Sequence, residues 1–309
     1  MVGHVLTRQL RERLGENSTS SWINVQLSYD LIYEAVLEFV DRTACLQKSG
    51  NITTAANNST YTLPYDFQRL YMRDTNGDYF IRYVDSNNSV NNIIFDDYTN
   101  IILNNNTDNN SVAVPSTFCI LPSSAGNQVS NNTTAAGTIN SNTSLSTMTD
   151  ANGTFVSTIS IGDDVFDTLN SYSGKVVTVS SNTALSTALY ASNGTAVGWA
   201  NETTYMVQPQ MRFSLVVDPP TETANETITI YYVYKPDIVY SPYKAYPIHY
   251  QYLSPIVDYA AWLYKYRDME PNFGDKWYIA FDTITKQLKN RYDTSVRKKG
   301  WTVNFKRPA

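Results

Sequence analysis

MRFSLVVDPPTETANETITIYYVY, residues 211–234, carries an alternation with a period of two. Met211, Phe213, Leu215 and Val217 alternate with other residues, and the pattern returns at Ile228, Ile230, Tyr232 and Tyr234. A spacing of two puts each set on one face of a pleated strand, so two half-buried strands are expected. Pro219-Pro220 offers no amide donors and is expected to end the first strand; the two then read as a hairpin.

Upstream, the same kind of text surrounds a polar turn. Phe67–Arg73 and Tyr79–Val84 are rich in β-formers, and Asp74-Thr75-Asn76-Gly77-Asp78 between them reads as a hairpin turn. The Asp74, Asn76, Asp78 spacing also matches the start of a calcium loop, but position twelve holds Asp85 and not Glu, so the turn reading is preferred. Residues 104–205 differ again, crowded with Asn, Ser, Thr, Ala and Gly. Short β-like runs at 116–121, 155–161, 175–180 and 204–211 point to an inserted all-β domain, the alternation in Phe155–Ile161 favouring a packed sheet. Disorder competes with that reading at 104–110 and 123–152.

Both ends of the chain read as helices. Val5, Leu6, Leu10 and Leu14 form a stripe that Gly15 can close, and after Trp22 and Asn24 the residues Leu27, Leu31, Ala35 and Phe39 recur at helical spacing. Pro236, Pro242 and Pro247 carry a Tyr-rich crossing in which no helix can persist. Ser254-Pro255 then starts a helix, and Phe273, Trp277, Phe281, Ile284 and Leu288 make the stripe of the last one. The expected fold class is therefore α+β: a helical bundle formed by the N- and C-terminal helices, a β-region between, and the Asn/Ser/Thr-rich insertion. Residues 1–103 and 206–309 would form the core and 104–205 the inserted domain.

Composition bounds the function classes. The chain has 309 residues, 42% hydrophobic and 24 Tyr but only 17% charged, a balance suited to broad contact surfaces. No run approaches the length of a membrane helix, and no basic start leads into an apolar stretch, so neither a membrane span nor secretion is expected. The Asn-x-Ser/Thr triplets at Asn51, Asn58, Asn142, Asn152, Asn193, Asn201 and Asn225 are then read as chance in an Asn/Thr-rich chain. Cys45 and Cys119 are expected to be free, buried thiols. Charge is lopsided: residues 286–309 hold eight cations against Asp293 alone, a net of +7, which leaves −12 on the rest of a chain of net charge −5.

Chemistry finds little footing. His4 and His249 sit in no metal-spaced or nucleophile-paired pattern, and the neighbours Asp96-Asp97 and Asp163-Asp164 should point to opposite faces, as turn residues. Glycines stand isolated, without a phosphate loop. The chain is expected not to be an enzyme and to need no metal or cofactor.

The order of elements resembles the head-to-tail adaptor proteins of tailed phages: a first helix, a Trp22-led helix, Leu63-Pro64-x-x-Phe67-x-x-Leu70, paired strands, Ile228-x-Ile230-Tyr231-Tyr232 with Lys235-Pro236, then two Tyr-rich helices and a basic end. The similarity covers roughly residues 3–100 and 205–300, and its motifs are loose patterns. It implies a structural virion protein located at the head-tail interface, and in host cytoplasm during assembly. Such a protein forms a homo-oligomer ring, commonly a dodecamer, that docks to the portal, meets a tail or nozzle protein and passes double-stranded DNA through its lumen without sequence-specific binding, with no membrane contact. Trp301, Val303 and Phe305, alternating beyond Gly300, would anchor in a portal groove, with Arg297, Lys298, Lys299, Lys306 and Arg307 steering toward acidic surface. A carbohydrate- or cell-surface-binding module in the inserted domain is the alternative.

Overall fold

A computed structural model describes residues 3–15, 23–101, 112–123, 129–131, 139–140, 145–199, 204–267 and 271–292. It overturns the expected fold class. The molecule is mostly β, 36% strand against 30% helix, with two eight-stranded sheets of which one is a half-barrel; it is not a helical bundle with an inserted β domain. The two chain ends do form helices, but the greater part of the structure is two sheets that gather short strands scattered across the chain.

The first sheet contains β1 (Gln47–Thr53), β2 (Asn58–Thr62), β3 (Phe67–Leu70), β4 (Phe80–Val84), β5 (Val90–Phe95), β6 (Thr117–Pro122), β15 (Phe213–Thr221) and β16 (Thr227–Tyr234). Its order is β1-β16-β4-β5-β6-β15-β2, with β3 also on β16, and every pairing is antiparallel except β5 with β6. The two edge strands, β1 and β2, are consecutive in the chain. Laid flat, six strand spacings would separate them by about 29 Å, but the five-residue step from Thr53 to Asn58 reaches at most about 18 Å. The sheet must therefore curl until its edges approach, as barrel strands do. Thr54 and Asn57 bridge the seam, donating their amides to Glu226 O (2.9 Å) and Thr221 O (2.8 Å).

The curl also explains two pairings that the sequence reading missed. β15 and β16 do not form a hairpin: β15 lies between β6 and β2, and β16 between β1 and β3/β4. The amides of Asn225 and Glu226, which a hairpin turn would use, go instead to Thr54 O (3.0 Å) and Thr54 Oγ1 (2.9 Å). Pro219-Pro220 lies inside β15, where its register to β2 shifts. Likewise β3 and β4 are joined through the Asp74 turn, yet both pair with β16, and only an isolated Arg73↔Tyr79 bridge links their ends. The facing rule holds for Leu215, Val217, Ile228, Ile230 and Tyr232, which point into the core of this sheet, with Phe213 and Tyr234 partly buried against it; Met211 precedes β15 and is exposed.

The second sheet holds β7 (Val129–Asn131), β8 (Ile139–Asn140), β9 (Leu145–Thr149), β10 (Asp164–Asp167), β11 (Tyr172–Ser181), β12 (Ala184–Tyr190), β13 (Ala196–Val197) and β14 (Tyr205–Gln208), in the order β7-β14-β10-β11-β12-β9-β8 with β13 on β12. β11 and β12 approach so closely at Gly174 that an added Cβ would lie 1.8 Å from Ala188 O. The expected strand over 155–161 is instead a single helical turn, Phe155–Thr158. Phe155 and Ile159, four apart, both enter the core, and Val156 is left exposed with its amide on Asn182 Oδ1.

The helices are α1 (Gly3–Leu14), α2 (Val25–Thr43), α3 (Phe155–Thr158), α4 (Leu253–Arg267) and α5 (Pro271–Tyr292), with a 3-10 turn at Tyr250–Tyr252 before α4; residues 98–101 are helical as well. Asn24 caps α2, accepting the Leu27 amide at 2.7 Å, and Ala44 ends it with a left-handed φ of 52°. Leu6 and Leu10 of α1, Ile32, Ala35, Phe39 and Val40 of α2, Ile256 and Ala260 of α4 and Phe281 of α5 share one core, which also takes Val233 from β16. A smaller cluster, Tyr29, Val177, Ala188, Tyr190, Ile238 and Tyr240, ties α2 to the second sheet.

Candidate functional site

The eight residues assigned to portal binding, Arg297, Lys298, Lys299, Trp301, Val303, Phe305, Lys306 and Arg307, lie outside the described residues, which end at Tyr292. Two features of the described chain are built for contact instead.

The first is an aromatic ladder across α4 and α5. Tyr259, Trp262 and Tyr266 follow one another at helical spacing, with ring centroids 5.2 Å and 5.5 Å apart. Tyr278 and Phe281 reach up from α5, Trp262 to Tyr278 at 4.8 Å and Tyr259 to Phe281 at 4.4 Å. Arg42 of α2 lies over the Tyr278 and Phe281 rings while bonding Glu38 (2.6 Å), Asp282 (3.0 Å) and the Tyr278 hydroxyl (3.3 Å). Its guanidinium is held above the ordinary range because the hydrogen bonds to Tyr278 and Glu38 outweigh the burial that opposes them. The ladder therefore has an inner edge fixed by Arg42 and ends on Tyr266, which is 62% exposed.

The second is a groove of about 670 Å³ between α2 and the second sheet, lined by Asp30, Tyr33 and Glu34 of α2, Asp164 and Phe166 of β10, Lys175 of β11, and Tyr240. The Tyr240 hydroxyl donates to Asp30 at 2.5 Å. Burial pushes the Asp30 carboxyl up, with Tyr240 and Lys175 drawing it back; burial and then Asp30 push the Tyr240 hydroxyl up in turn. Tyr29 and Tyr33 are each pushed up to about 12, chiefly by burial. The Tyr33 and Tyr240 phenols therefore stay protonated at neutral pH, and the groove's acceptors are the carboxylates of Asp30, Glu34 and Asp164.

Neither carboxylate pair lies within one strand, since Asp96, Asp97 and Asp163 are all outside the strands, and each of the four makes its own contacts. Asp163 turns inward, accepting the Ser160 (2.8 Å) and Gln210 (3.0 Å) amides, while Asp164 pairs with Lys175. Asp96 and Asp97 accept amides of their own turn, Asp97 N (2.7 Å) and Thr99 N (3.2 Å). Asp74 takes the amides of Asn76, Gly77 and Asp78, the work of a turn. Among the described residues no three His, Cys, Asp or Glu are grouped to hold a metal. His249 stacks on Tyr250 at 4.6 Å and accepts the Gln251 amide. Both thiols are free, Cys119 buried and Cys45 only half-buried. The groove was missed in sequence because it draws its side chains from α2, β10, β11 and the crossing after β16; the ladder lies on two consecutive helices, and the Tyr-rich composition was its one visible sign.

No family profile matches the chain, and no curated protein is significantly similar to it.

Proposed function

We propose that this chain is a structural subunit of a tailed-phage particle, an adaptor that closes into a homo-oligomeric ring beneath the portal and extends the DNA channel toward the tail. The order of sequence motifs resembles that family, and one structural observation supports the reading most. Helices from both chain ends share a core, and α4 and α5 present an aromatic ladder that ends on the exposed Tyr266, beside the turn between the two helices. Aromatic side chains give large contact area at small entropy cost, which suits a subunit touching two ring neighbours and a portal. Ring closure follows when a head-to-tail contact repeats through a rotation that completes the circle. Electron microscopy of the purified chain with and without portal tests this: closed rings of about a dozen copies are expected, and a monodisperse monomer that never joins portal refutes it.

One observation favours a second reading, a sugar-binding surface on the second sheet. Phe166, Tyr172 and Met206 line an open depression beside Thr168, Ser171 and Ser173, pairing ring faces with hydroxyls. A glycan-array signal that Phe166→Ala removes would promote it over the adaptor reading.

A further inference from the structure

All four lysines of residues 1–250 meet at one place. Lys48 comes from β1, Lys175 from β11, and Lys235 and Lys244 from the crossing after β16, yet together they line two adjoining depressions. The larger, about 280 Å³, is bordered by Lys48, Lys235, Lys244 and Tyr234; the smaller, about 50 Å³, by Lys175, Tyr33 and Gln210. Tyr65, Asp66, Lys235 and Asp237 belong to both.

Gathering like charges costs energy unless something offsets it. Two of the four are offset within the chain. Lys48 pairs with the buried Asp66 and lies over the Tyr232 and Tyr234 rings, and Lys175 pairs with Asp164. The remaining carboxylate, Asp237, accepts the Tyr65 hydroxyl at 3.1 Å. Among the described residues, the amines of Lys235 and Lys244 have no carboxylate within ion-pair reach. Lys235 is also partly buried, and burial holds its ammonium below the ordinary range although Asp66 opposes this. Among the described residues, two ammonium groups without an ion-pair partner thus line a polar depression together with tyrosine hydroxyls and the carboxylates of Asp66 and Asp237, four lysines against three carboxylates once Asp164 is included.

We propose that this lysine-ringed depression is an anion site that takes a phosphate group, held by Lys235 and Lys244 as point charges. Two ammonium groups, with three donors each, match a dianion bearing several acceptor oxygens better than a lone carboxylate. The group is either free phosphate or a phosphate ester such as a nucleotide, and the chemistry of recognition is the same.

Calorimetric titration of the full chain at low salt tests the site, with inorganic phosphate, adenosine monophosphate and acetate as separate probes. Saturable one-to-one phosphate binding is expected. Losing one charge-assisted contact should weaken it roughly tenfold or more in Lys235→Gln and in Lys244→Gln, with Lys265→Gln unchanged. Tighter binding of adenosine monophosphate than of phosphate assigns an ester; the reverse order assigns the free ion. A second measurement needs no variant: phosphate should slow acylation of Lys235 by acetic anhydride, read by mass spectrometry, while leaving Lys265 unaffected. Absent or non-saturable binding, equal affinity in Lys235→Gln and Lys244→Gln, acetate binding as tight as phosphate, or no protection of Lys235 overturns the proposal.

Discussion

Arg13→Ala probes the joint between the two ends of the chain. Arg13, in the last turn of α1, places Nη1 3.0 Å from Asp258 Oδ1 and donates through Nη2 to Ser254 Oγ at 2.8 Å, tying α1 to α4. The Asp258 side chain is 6% exposed and that of Arg13 38%. Burial already raises the Asp258 carboxyl above its ordinary 3.8, with Arg13 and Ser254 pulling it down. Without Arg13 the carboxylate keeps its burial penalty and loses its countercharge. Breaking a fully buried pair costs about 3–5 kcal/mol; water around Arg13 reduces that to about 2 kcal/mol at pH 7.5. The sign with pH follows from the direction of the shift. A carboxyl whose folded value lies above its unfolded one prefers to be protonated in the native state, so its penalty is fully felt above the folded value and relieved as pH falls toward 3.8. Removing Arg13 moves the folded value higher still, so the deficit should shrink between pH 7.5 and pH 4.5. Adding Asp258→Asn, which deletes the stranded charge, should recover at least half of it. Urea unfolding followed by tryptophan fluorescence at the two pH values measures both effects. An equal deficit at both, or a double variant no more stable than Arg13→Ala, refutes the account.

Gly174→Ala should disrupt the second sheet, because a Cβ there would meet the Ala188 carbonyl in the paired strand; a loss of about 3 kcal/mol or more is expected, visible as exposure of the buried Trp199 in its emission. Deleting residues 297–309 should abolish co-purification with portal while circular dichroism stays unchanged; retained portal binding refutes the assignment of those eight residues. The −12 carried outside 286–309 should keep the assembled ring from gripping DNA, so salt-sensitive retention of duplex DNA at low ionic strength would count against an acidic or neutral lumen.

What the sequence by itself determined was local. The stripe of Leu27, Leu31, Ala35 and Phe39 with Asn24 before it specified α2 and its buried face, because a helix satisfies its backbone internally and its period is written in consecutive residues. The inward faces of β15 and β16 and the turn at Asp74 were legible for the same reason. Tertiary structure alone decided the partners. A strand's amides can be met by any strand of matching register, so whether β15 joined β16 or lay between β6 and β2 depended on the curl that brings Thr54 against the 221–226 turn, a contact between residues some 170 positions apart. The convergence of Lys48, Lys175, Lys235 and Lys244 has the same origin: charge is written in the sequence, but proximity is set only when the sheets and the crossing pack together.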